Sequence, residues 1–169
     1  MSSRSSLTGP DKMPLNNFGL VTPHIFRCAQ PNAQAIGLLK EMGATVIYKL
    51  NNDSEFPVRW EADAFAPGQV QYDPSISSFR PDKVKLLTAA RQLHEFSEAK
   101  AIVALHCTHG RDRTGAVAAT FKIIYGSKVW DEVLSDFLSY DNTGMASIFD
   151  MGIIDVLKEI YFDTFGVKP

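Results

Sequence analysis

The sequence has little of what marks several protein classes. Its 169 residues contain only two cysteines, Cys28 and Cys107, which excludes a disulfide scaffold and a cysteine-rich zinc site. No apolar run approaches the length of about 18 residues that a membrane-spanning helix needs. Residues 1–17 lack the apolar stretch of a signal peptide. We therefore expect no membrane span and a cytoplasmic protein, or a secreted one if a leader has been removed.

Charge of neither sign dominates the chain. Lysine and arginine number 17 against 19 acidic residues, so the net charge is −2. A balance of this kind gives no strong overall field, and we expect no nucleic-acid partner. Hydrophobic residues at 45% are typical of a globular core. We predict a flexible N-terminal tail over residues 1–17, which is rich in serine, and one domain over residues 18–169.

Short apolar runs alternate with helical patterns along the chain. The runs predict strands at 18–21, 24–28, 44–50, 70–72 and 101–106. Helical spacing follows Pro31 and Pro81, covers residues 114–125 and recurs near the C-terminus, with a shorter helix at 57–66 and Ser127 as the expected N-cap of a further one. Alternation of this kind predicts an α/β fold with a mainly parallel central sheet flanked by helices.

The informative stretch lies directly after the strand at 101–106. It reads HCTHGRDRTG from His106 to Gly115, so Cys107 leaves the strand and Arg113 opens a helix after five intervening residues. A loop of this length can turn its backbone N–H groups toward one anion, and the helix N-terminus adds partial positive charge. The guanidinium of Arg113 can bind two phosphate oxygens. Such surroundings favour the thiolate of Cys107, which is the nucleophilic form.

This stretch resembles the Cys-x5-Arg-Ser/Thr-Gly signature of the cysteine-dependent protein tyrosine phosphatase superfamily. Its position past mid-chain, and the Asp112 before the arginine, are similar to the bacterial dual-specificity and phytase-like inositol phosphatase branch. The resemblance implies a dual-specificity-phosphatase-like fold and a phosphatase that works through a phosphocysteine, without metal or other cofactor. It also implies that His106 supports the loop, while the phosphate-binding residues are Thr108, His109, Gly110, Arg111, Asp112, Arg113 and Thr114.

The general acid that the resemblance implies has two candidates. Relatives carry an aspartate in the loop before the helix that precedes the signature, and Asp73 is the one carboxylate at 73–80. Asp112, within the signature loop, is the alternative acid. Each also has a structural interpretation: an Asx-turn for Asp73 and a partner of a nearby arginine for Asp112. Asp53 and Glu55 are weaker candidates for the edge of the pocket.

The substrate is predicted to be a phosphorylated small molecule or a phosphoprotein. His109 and Arg111 favour an inositol ring with several phosphates over phosphotyrosine, and Arg27, Lys49, Arg80, Lys83 and Lys85 are further candidate cations around the pocket. Tyr72 and Phe79 are candidates for an aromatic wall that phosphotyrosine would need. The alternative function is a non-catalytic phosphate-binding module. For Cys28 a plain buried thiol is favoured over a reversible disulfide with Cys107.

Overall fold

The computed structural model of the protein describes residues 15–52, 59–140 and 148–169. The chain divides into two compact units. One consists of Met1–Pro74 with Phe96–Gly110, and the other of Ser75–Glu95 with Arg111–Pro169. The first contains the sheet and the second is helical, so we call them the sheet unit and the helical unit. The predicted tail at 1–17 lies almost wholly outside the described residues.

The sheet unit is built on the strands β1 Gly19–Thr22, β2 Ile25–Cys28, β3 Val46–Lys49, β4 Val70–Tyr72 and β5 Val103–His106. They form one five-stranded sheet in the order β1-β2-β5-β3-β4. β1 pairs with β2 antiparallel, and the pairs β2–β5, β5–β3 and β3–β4 are all parallel. β2, β3 and β5 are buried along their whole length, as expected for inner strands of a parallel sheet. This sheet confirms the predicted fold class.

Two helices belong to the sheet unit. α1, Ala33–Glu41, begins at the N-cap Asn32, whose side chain accepts a hydrogen bond of 2.8 Å from the backbone N–H of Ala35. Its buried face joins side chains of β2 and β3 in one apolar core. α2, Arg59–Ala62, is a single turn inside the longer helix predicted at 57–66. Short as it is, α2 places Glu61 in the interior of the unit.

The helical unit contains the long helices of the chain. α3 spans Lys83–Glu98 and crosses from this unit into the sheet unit, while α4 spans Asp112–Ile124, α5 Trp130–Ser139 and α6 Ile148–Phe165. α4 is buried from Thr114 to Phe121 and packs against both α5 and α6. None of the helices in the described ranges combines the length and the apolar character needed to cross a membrane.

One predicted helix boundary is wrong. Ser127 does not cap α5, because that helix begins at Trp130 and its N-cap Val129 makes no side-chain hydrogen bond. Ser127 instead has a φ of +48°. The backbone N–H of Lys128 donates to the carbonyl of Lys122 at 3.2 Å. A left-handed residue followed by such a bond ends a helix, so Ser127 closes α4 rather than opening α5.

Candidate active site

The first half of the signature loop, Cys107 to Gly110, belongs to the sheet unit and follows the central strand β5 directly. Cys107 is buried, with 2% of its surface exposed. Gly110 has a φ of +68°, and a Cβ built on it would lie 2.5 Å from the backbone N of Ala29 and from the carbonyl carbon of Cys28. Only glycine fits where the loop approaches the end of β2 this closely.

Three consecutive carbonyl groups of this half-loop accept hydrogen bonds from the β1–β2 side of the sheet. The bonds are Gln30 N to Thr108 O at 3.1 Å, Asn17 Nδ2 to His109 O at 3.1 Å and Arg27 Nη2 to Gly110 O at 2.9 Å. In a planar trans peptide the N–H points opposite to the carbonyl. The N–H groups of residues 109–111 therefore point away from these donors, as an anion-binding loop requires.

The second half of the loop, Arg111 to Thr114, belongs to the helical unit and turns into α4. The N-cap Arg111 makes no side-chain capping bond, and the N-terminus of a helix such as α4 favours an anion. Arg111 Nε donates instead to Asp112 Oδ1 at 3.2 Å. Thr114 is fully buried, and its Oγ1 has no hydrogen-bond partner within the described ranges. This hydroxyl keeps its capacity to donate to a bound group.

A buried polar network lies at the carboxyl ends of β3 and β5. Its charged centre is Glu61 Oε1, which lies 2.9 Å from His106 Nε2 and 3.4 Å from Lys49 Nζ. Gln30 connects the members: its Nε2 donates to Glu61 Oε1 at 3.0 Å, and its Oε1 accepts from Lys49 at 2.8 Å and from Asn51 at 2.9 Å. Apart from Gln30, these side chains are completely buried. Because His106 precedes Cys107, the network adjoins the candidate nucleophile.

The ionisation of this network follows from burial and charge. Burial raises the pKa of Glu61, but the nearby His106, the hydrogen bond from Gln30 and the charge of Lys49 together hold it below its usual value. Burial lowers the pKa of His106 more than Glu61 raises it, so the imidazole is neutral at pH 7. Glu61 is therefore a carboxylate that faces an ammonium group and a neutral imidazole.

Cys28 is a free, fully buried thiol beside this network. Burial, followed by the charge of Cys107, raises its pKa to about 12. A thiol with such a pKa is protonated at neutral pH and does not act as a nucleophile. The structure thus agrees with the plain buried thiol favoured from the sequence.

Asp73, the first candidate for the general acid, follows β4 at the same edge of the sheet as Cys107. Lys49 is the register partner of both His106 and Tyr72, so Cys107 and Asp73 each lie one residue past matched positions. With β3 between them, two strand spacings separate the backbones by about 10 Å. Asp73 is half-buried, and its N–H donates to Lys49 O at 2.9 Å.

Several other sequence-predicted positions have different surroundings from those expected. Arg27 and Lys49 are completely buried, so neither lies on the rim of a pocket. Arg80 and Lys83 form ion pairs with acidic side chains of α6, and Lys85 Nζ donates to Ser75 O at 3.3 Å. Asp53 and Glu55 lie outside the described residues.

The two aromatic candidates differ. Phe79 is 50% exposed, while Tyr72 is half-buried. Sequence reasoning missed Glu61, the centre of the buried network. The available signal was weak: a glutamate one residue after the apolar Trp60 in a short helix.

Comparison with known proteins places these observations in a family. Residues 19–152 match the profile of the tyrosine phosphatase family. The chain is 31% identical over 119 residues to the dual specificity protein phosphatase TpbA of Pseudomonas aeruginosa, a match that covers 70% of this chain and 51% of the relative. The chain thus spans about half the length of the curated relatives it matches.

Solved structures share the fold. A crystal structure of P. aeruginosa TpbA in complex with pTyr has a TM-score of 0.70 at 24% identity, covering 96% of this chain and 98% of that one. The core catalytic domain of the PP-IP phosphatase SIW14 from S. cerevisiae has a TM-score of 0.65 at 16% identity, covering 83% and 85%. At these identities the likeness shows the fold.

Proposed function

The chain belongs to the tyrosine phosphatase family, and from this premise we propose that it hydrolyses phosphomonoesters through a phosphocysteine intermediate. The observation that carries the proposal is the set of three tethered carbonyls at Thr108, His109 and Gly110, which turns the following N–H groups away from the sheet. Backbone N–H groups fixed in this way can bind the oxygens of a phosphoryl group in both ground and transition states.

In the first step the thiolate of Cys107 attacks phosphorus in line, so that an S–P bond forms while the ester P–O bond breaks. The leaving oxygen takes a proton from a carboxylic acid. In the second step the same group, now a carboxylate, accepts a proton from water as the water attacks phosphorus and breaks the S–P bond. Arg113 and the loop N–H groups stabilise the charge on the phosphoryl oxygens in both steps.

We propose Asp73 as the acid. Its position about 10 Å from Cys107 across the sheet edge leaves room for the phosphoryl group and the leaving oxygen between them. Asp112 is the alternative, but its Oδ1 accepts a hydrogen bond from Arg111, which supports the structural interpretation of that residue. For a substrate with a poor leaving group, Asp73→Asn is expected to lower kcat about 100-fold or more. The same loss in Asp112→Asn, with Asp73→Asn unaffected, would reverse the assignment.

The proposed substrates are phosphotyrosine-like aryl phosphates, with inositol polyphosphates as the second class. The engagement of Arg111 by Asp112 weakens the case for a ring of free cations, on which the preference for inositol phosphates rested. His109 is exposed and can contact an additional phosphate, which supports the second class. Parallel measurement of kcat/KM for an aryl phosphate and for inositol hexakisphosphate distinguishes the two. A higher value for the inositol compound would reverse the order.

The activity is tested by phosphate release in the presence of a chelator, which the proposed mechanism tolerates. Cys107→Ser is expected to abolish turnover while retaining phosphate binding, and Cys28→Ser serves as the matched control because Cys28 is protonated and buried. Turnover by Cys107→Ser close to that of the wild type would refute the nucleophile. Phosphate binding without turnover in the wild type would identify a non-catalytic phosphate-binding module.

A further inference from the structure

The buried network has no role in the steps given above, although its ionic groups are costly to bury. Taking a carboxylate and an ammonium group out of water costs several kcal/mol for each ion, and well-packed apolar side chains in their place are often no less stable. Glu61 and Lys49 are both completely buried. Their retention next to the nucleophile therefore calls for an explanation other than stability.

Glu61 is connected to the nucleophile end of the loop by two routes. The first runs through His106, whose Nε2 lies 2.9 Å from Glu61 Oε1 and whose backbone continues into Cys107. The second runs through Gln30, whose side chain donates to Glu61 and whose backbone N–H donates to Thr108 O at 3.1 Å. The carboxylate thus lies against the imidazole that precedes Cys107 and accepts a hydrogen bond from Gln30, the residue that tethers Thr108.

We propose that Glu61 is a positioning residue, which acts through His106 and Gln30 to hold the Cys107–Thr108 end of the loop, and that the Glu61–Lys49 pair balances the charge felt by Cys107. This inference rests on the proposed function. Among the described residues of the sheet unit, the further titratable or charged side chains toward this edge of the sheet include Arg27 and Cys28 on β2 and Asp73 after β4. Lys49 lies 3.4 Å from Glu61, so the balance of charge is expected to depend on Lys49.

The proposal predicts opposite effects from the two members of the pair. Glu61→Gln keeps the size of the side chain but replaces one carboxylate oxygen by an NH2 donor and removes a negative charge, which favours the thiolate of Cys107. Lys49→Gln removes a positive charge and disfavours it. The pH of half-maximal alkylation of Cys107 by iodoacetamide is expected to fall by about one unit in Glu61→Gln and to rise by about one unit in Lys49→Gln.

Mass spectrometry of the alkylated peptide provides this readout without using turnover, so its result does not depend on the proposed phosphatase activity. Cys28 does not interfere, because its pKa is about 12. Asp63→Asn is the matched control, since it removes the same charge from an exposed position two residues after Glu61. A purely structural role would give no shift, or shifts in the same direction, and either result would overturn the proposal.

Activity supplies the second readout. Glu61→Gln is expected to lower kcat by about 10- to 100-fold, the scale known for outer partners of metal-ligand histidines, with a smaller change in KM. In a His106→Asn background the same substitution should change kcat by clearly less than it does in the wild type, because only the route through Gln30 remains. Additive effects in the double variant would show that Glu61 does not act through His106. If Lys49→Gln does not fold, the Glu61→Gln alkylation and this cycle still decide the matter.

Discussion

Two ion clusters of this protein have similar chemistry and opposite surroundings. The buried cluster, Glu61 with Lys49 and His106, is completely excluded from solvent. The exposed cluster joins Lys83, the first residue of α3, and Arg80, three residues before it, to acidic side chains of α6, and its members are 38–63% exposed. Water and salt screen the ion pairs of the exposed cluster but cannot reach those of the buried cluster. The two clusters should therefore differ in how much each ion pair contributes to stability. Charge pairs that look equivalent in the sequence thus have different roles.

The largest difference is expected when one partner of a pair is removed. Glu61→Ala leaves the ammonium group of Lys49 buried and without its carboxylate, and we expect the free energy of unfolding to fall by about 3–5 kcal/mol. Glu159→Ala, the matched substitution in the exposed cluster, should cost less than about 1 kcal/mol. Urea unfolding at pH 7 measures both. Equal losses would show that burial does not separate the two clusters.

Replacing both buried ions sharpens the comparison. In Lys49→Met with Glu61→Leu no uncompensated charge remains, so the double variant should be more stable than the sum of the single losses predicts, by about 1–3 kcal/mol. The recovered stability should not restore phosphatase activity if the pair serves the loop. Strict additivity in urea unfolding would contradict the direct coupling of the two side chains.

Some features of the candidate site can be predicted from the sequence and others cannot. The signature loop, the central strand before it and the helix after it follow from local patterns: an apolar run, a glycine where φ is positive and a helix start. The contacts that hold the loop join residues far apart in the chain, such as Arg27 and Gly110. No periodicity encodes them. From the sequence alone, Arg27 and Lys49 are therefore candidate cations around the pocket rather than buried side chains, and nothing singles out Glu61.

The two clusters are expected to lose their contributions to stability in opposite pH ranges, the buried one in acid and the exposed one in alkali. Burial lowers the pKa of His106 below its usual 6.5. Below about pH 6.5 the unfolded chain therefore binds a proton that the folded chain does not, and stability falls as the pH falls. The lowered pKa of Glu61 adds a further loss at more acidic pH. In the exposed cluster, the hydrogen bond to Asp163 raises the pKa of Lys83. The contribution of charged Lys83 to folding stability is therefore complete at neutral pH and is lost only at alkaline pH.

This acid sensitivity is measured by urea midpoints at pH 7.5 and pH 5. His106→Asn should reduce the difference between the two midpoints, since the imidazole that must protonate on unfolding is gone. His24→Asn, at an exposed position, is the control and should leave the difference as in the wild type. An unchanged difference in His106→Asn would assign the acid sensitivity to other groups.

The smallest expected effect concerns salt. Arg80 lies 3.2 Å from Glu159 and 3.7 Å from Asp155, but all three side chains are at least half exposed. Arg80→Gln should therefore cost less than about 1 kcal/mol at low ionic strength. That cost should disappear in about 1 M NaCl, where the Debye length is about 3 Å. The loss in Glu61→Ala should persist at the same salt concentration, because ions do not reach a buried pair. A salt-insensitive loss in Arg80→Gln would mean that Arg80 stabilises the protein through packing of its aliphatic part rather than through its charge.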